Sequence, residues 1–123
     1  MEEWKLDFEW LRVRHLVKDS MGRDTLPDLN AVLFLIGIQE LGRWDENFTK
    51  EEKQDLMHIA VSRLLAYDGY YKFLGRDADG WPHYESVIPF TTKGVEEQEQ
   101  ILKIKVIEYF KDLEEENGGL EEE

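Results

Sequence analysis

The sequence predicts an all-α protein: an irregular bundle of about four helices, with one long aromatic-rich loop between helices 3 and 4. Three observations carry this. Apolar residues recur at helical spacing in four segments, cap residues bracket those segments, and the one stretch without a period, residues 75–93, holds two prolines and a concentration of aromatics.

The first segment, "WKLDFEWLRVRHLV" from Trp4 to Val17, begins like a strand, with Trp4, Leu6, Phe8 and Trp10 alternating with charge. The alternation fails at the adjacent pairs Trp10-Leu11 and Leu16-Val17. At about 100° per residue, Trp4, Phe8 and Leu11 share one side of a helix, and Leu6, Trp10, Val13 and Val17 share the other. The expected helix therefore has two apolar faces. A helix in a small bundle needs one, so a second face suggests a partner surface, and Trp4, Leu6, Phe8, Trp10, Val13 and Val17 are its candidate residues. Aromatics are favoured at the buried centres of interfaces, and symmetric dimers are the commonest soluble assemblies.

The second segment, "TLPDLNAVLFLIGIQELG", opens with Thr25 as expected N-cap, Pro27 in the first turn and Asp28 near the positive helix end, and Gly42 stops it. Gly37 costs roughly 1 kcal/mol against Ala in mid-helix, a cost offset where another helix must come close. Ala60 or Ala66 of the next helix is the expected neighbour. That third helix opens with Thr49 and Glu52 as a capping box, carries Leu56, Ala60, Leu64 and Tyr67 along one face, and ends near Gly69 or runs on to Gly75. A fourth spans about Val95 to Leu113. Residues 1–113 are thus expected to be one helical domain and residues 114–123, "EEENGGLEEE", an acidic disordered tail.

Composition narrows the function classes. A 123-residue chain without cysteine has no disulfide framework, thiolate zinc site or cysteine nucleophile. Net charge is −13, which repels phosphate backbones, so nucleic acid is not expected as a partner. The one basic island, Arg12, Arg14, His15, Lys18 and Arg23, reads as a solvated helix face. The longest apolar run, Ala31–Ile38, is far short of the roughly 20 residues of a membrane span, and the opening residues have no secretory pattern, so a cytoplasmic, non-membrane protein is expected.

Polar chemistry concentrates in residues 75–93, where Asp77, Asp79, His83 and Glu85 could converge on a divalent metal or act as acid and base. Aligning Gly80 with the central glycine of a calcium loop puts Gly75 at the first ligand position, so that motif fails. The competing reading makes "DADG" a turn held by its own aspartates. Asp55 and His58, one helical turn apart, have the spacing of a bundle metal pair, but the pair occurs once and lies on a polar strip with Glu51 and Ser62. Glu52 with Asp55 and Glu96 with Glu99 match the spacing of magnesium-binding helices in reversed order. Nothing in the sequence nominates a catalytic residue or a resident cofactor. The functional expectation is a small acidic interaction protein, a homodimer or the binder of another protein. The alternative is a helical domain binding a metal or small ligand, hydrolytic or not, through Asp77, Asp79, His83, Glu85, Asp55 and His58.

Overall fold

The computed structural model describes residues 2–121, with side chains as far as Glu116. Among the described residues the order is α1 (Glu3–Met21), α2 (Leu29–Leu41), α3 (Lys50–Leu65), β1 (Tyr71–Arg76), β2 (Pro82–Ser86) and α4 (Val95–Glu121), with a 3-10 turn at Ala66–Asp68. The protein is mostly helical, but the antiparallel β1–β2 hairpin corrects the all-α expectation. No helix among the described residues is long and apolar enough to cross a membrane. The chain forms two compact units, residues 27–92 and residues 1–26 with 93–123.

In the first of these units α2 packs on α3. The N-cap of α2 is Asp28, whose Oδ1 accepts the Ala31 N–H at 2.9 Å, so the helix begins at Leu29 and the expected Thr25 cap lies upstream of it. An aspartate that accepts an orphan N–H and also faces the positive helix end outcompetes the threonine. The Thr49–Glu52 capping box forms as expected, each side chain bonding the other residue's N–H. Gly37 is the point of closest approach between the helices. A Cβ there would lie 2.1 Å from the Leu56 carbonyl oxygen, so its neighbour is the α3 backbone at Leu56 rather than Ala60 or Ala66. Around this contact Leu41, Phe48 and Leu56 are buried together, with Phe34, Ile38 and Trp81 packed on them.

The third helix stops at the 3-10 turn, and the chain from Tyr71 onward is a strand rather than more helix or loop. Tyr71, Phe73 and Tyr84 have high strand propensity, and Phe73 faces Tyr84 across the hairpin with ring centroids 5.4 Å apart. A bulge between Phe73 and Gly75 inserts Leu74 without a partner, with Gly75 at φ +112°, which a side-chain-bearing residue rarely adopts. The Arg76 guanidinium donates to the carbonyls of Glu40 (2.6 Å), Leu41 (3.4 Å) and Gly80 (2.9 Å), and Arg43 donates to Asp79 O at 2.8 Å. Two arginines thus fasten the hairpin turn to the C-terminal end of α2, where unpaired carbonyls attract cations.

In the other unit α1 packs on α4. The first helix is continuous from Glu3 to Met21, as its period requires, and buries Leu6, Trp10, Val13 and Val17. From α4, Leu102, Val106, Ile107, Tyr109 and Phe110 are buried. The Lys103 ammonium sits 5.7 Å from the Trp10 ring centre, and Arg12 bonds both Glu9 and Glu114. The helix runs past Leu113 because Glu114 to Glu116 are good helix formers and no breaker intervenes there. Glu122 and Glu123 of the expected tail lie outside the described residues.

Candidate functional site

A cavity of about 300 Å³ opens between α3 and the hairpin. Its deep end is made by Ile59, Ser62 and Pro82, all buried; Trp81 and Tyr84 form half-buried walls; Asp55, His58, Asp77 and His83 stand exposed at the mouth. Helical spacing brings Asp55, His58, Ile59 and Ser62 to one side of α3, and the hairpin supplies the other side.

Four of the six residues expected to gather a metal therefore share one cavity, and two do not. Glu85 pairs across the hairpin with Lys72. Asp79 lies in the turn, its carbonyl held by Arg43. Among the described residues, no three His, Asp or Glu side chains come together in a metal-holding group.

The "DADG" stretch is the turn its composition suggested. Asp77 Oδ1 accepts the N–H groups of Asp79 (2.9 Å) and Trp81 (3.0 Å), and Gly80 takes φ +88°. The other carboxylate oxygen of Asp77 lies 2.9 Å from His83 Nε2. That hydrogen bond first, and the Trp81 N–H second, hold the Asp77 carboxyl below its ordinary range and so favour its anion. Tyr84 is shifted the other way. Burial, and then the nearby Glu40 carboxylate, raise its phenol above the usual value, and it stays protonated.

The strip Asp55, His58, Ser62 does not remain exposed along its length. Asp55 and His58 face solvent, with the His58 ring edge-on to Tyr71 at 6.3 Å, but Ser62 is 1% exposed and its Oγ has no hydrogen-bond partner. Sequence reasoning missed Ser62 as a cavity residue, along with Ile59, Trp81, Pro82 and Tyr84. Its position one turn after His58 was the available signal.

The other candidate place is α1. Of its six expected interface residues, Leu6, Trp10, Val13 and Val17 are core and only Trp4 and Phe8 are on the surface, joined there by Leu11. The exposed Trp4 indole N–H donates to the Glu2 carboxylate. Comparison with family models, with curated proteins and with solved structures returns no match.

Proposed function

We propose that this chain is a small acidic, cytoplasmic interaction protein that associates with a second copy of itself through the outer face of α1. What supports the reading is that one helix carries two apolar faces of which the fold uses one. Trp4, Phe8 and Leu11 remain 67, 60 and 43% exposed at spacings of four and three residues. Exposed aromatics in such a row mark interfaces on soluble proteins.

Charge along the same helix favours a second copy as the occupant. Residues 2–9 carry Glu2, Glu3, Asp7 and Glu9 against Lys5; residues 10–18 carry Arg12, Arg14 and Lys18 with no acid. Two copies lying antiparallel set each acidic half on the other copy's basic half, and a two-fold axis between Phe8 and Leu11 opposes those side chains. A parallel arrangement would set like charges together.

Light scattering on a sizing column, from a few to a few hundred micromolar, tests this. The expected result is a dimer that weakens with salt. Phe8→Glu should give a monomer with unchanged helix content, since Phe8 is outside the core. A wild-type monomer across that range rejects self-association.

A further inference from the structure

The cavity between α3 and the hairpin is independent of the α1 surface, and its chemistry is graded from end to end. At the bottom the surroundings are apolar except for one buried hydroxyl, Ser62 Oγ, which has no partner. Such groups cost free energy unless something bonds them, so an unpartnered one beside a cavity invites a ligand polar atom. In the middle stand two aromatic faces, Trp81 and Tyr84. Trp81 is braced edge-on against Phe48 at 6.3 Å, and the Tyr84 phenol is kept uncharged by its surroundings. At the mouth stand Asp55 and His58 from α3 and Asp77 and His83 from the hairpin; Asp77 is already bonded to His83 and to two backbone N–H groups, so the carboxylate that faces a ligand is that of Asp55, and none of the lining residues is Lys or Arg. Of the nearby arginines, Arg63 is paired with Glu40 at 3.3 Å and Arg76 is spent on carbonyls.

We propose that this cleft binds a small aryl-alkyl amine bearing a hydroxyl on its ring. The ammonium lies at the mouth on the Asp55 carboxylate, the ring against Trp81 and Tyr84, and the hydroxyl reaches Ser62. A cation suits this place because the mouth offers acceptors and negative charge, and because aromatic faces attract cations while carboxylates repel anions. The volume is at the small end of ligand pockets, which suits a single-ring molecule.

Titration calorimetry with tyramine tests the proposal, alongside three relatives that each remove one feature: phenethylamine (no hydroxyl), p-cresol (no amine) and 3-(4-hydroxyphenyl)propionate (charge reversed). Tyramine should bind at least tenfold more tightly than the propionate or p-cresol, and several-fold more tightly than phenethylamine. Asp55→Asn, a surface change that leaves the core intact, should weaken both amines about tenfold. Ser62→Ala should bring tyramine and phenethylamine to equal affinity while leaving the thermal transition cooperative. Absence of tyramine binding at millimolar concentration overturns the proposal. So does a propionate that binds as well as tyramine, or a hydroxyl preference that survives in Ser62→Ala.

Discussion

Gly37→Ala separates two physical accounts of a mid-helix glycine. On helix propensity alone, alanine should stabilise α2 by about 1 kcal/mol. The packing says the opposite. The new methyl would sit 2.1 Å from the Leu56 carbonyl oxygen, 2.6 Å from its carbon and 2.9 Å from its Cβ. A close carbon-to-oxygen contact is about 3.3 Å, so the helices must part locally by roughly 1 Å. The obstacle is backbone, which no rotamer change can move aside. A gap of that size forfeits about a quarter to a half of each dispersion contact across it. Leu56 and Leu41 are buried here with Phe34 and Ile38 packed on them, and at about 2 kcal/mol per buried side chain the loss is roughly 2–4 kcal/mol. Subtracting the propensity gain leaves a net destabilisation of about 2 kcal/mol, or roughly 8 °C in Tm for a chain of this length. Thermal circular dichroism at 222 nm and urea midpoints at constant m would measure it. Gly37→Ser places the same Cβ and should cost as much. A Tm for Gly37→Ala equal to or above wild type would refute the close-approach reasoning.

Two further perturbations probe the hairpin. Arg76→Ala strips three carbonyls of their shared donor and should cost about 1–2 kcal/mol, concentrated in the hairpin. Hydrogen exchange of the Asp77 and Gly80 amides should speed up roughly tenfold with α1 and α4 unaffected, and Arg76→Lys, lacking the planar fork, should recover only part. The depressed Asp77 carboxyl gives a pH dependence whose sign is fixed. Its contribution is fully present above its ordinary value of 3.8 and is lost as pH falls through the lower folded value. The Asp79 and Trp81 amide resonances, both bonded to Asp77, should titrate together with a midpoint under 3.8, and Asp77→Asn should abolish that step. A midpoint at or above 3.8 would show that the bond to His83 does not hold in solution.

The helices were legible because each repeats its signal over several turns: the buried row Leu6, Trp10, Val13, Val17, or the reciprocal Thr49 and Glu52 cap. The hairpin was not, for a local reason. Strand alternation in "YYKFLGR" breaks at the bulge, where Leu74 has no partner and Gly75 turns the chain, so the period-2 pattern never accumulates. What the sequence did offer was the "DADG" turn between two aromatic runs, a hairpin signal that a search for helical periods passes over. The cavity follows the same division. Asp55 and His58 could be placed on one side of a helix by counting, and Asp77 with His83 only by knowing that the turn between them folds back. Ser62 shows the limit most clearly. Its polarity put it on the outside of α3, yet it is buried, beside the hairpin residues that share its cavity. A residue buried beside an element that local periodicity cannot find will be misread in any sequence. The same residue, polar, buried and unpaired, is then where a functional role should be sought first.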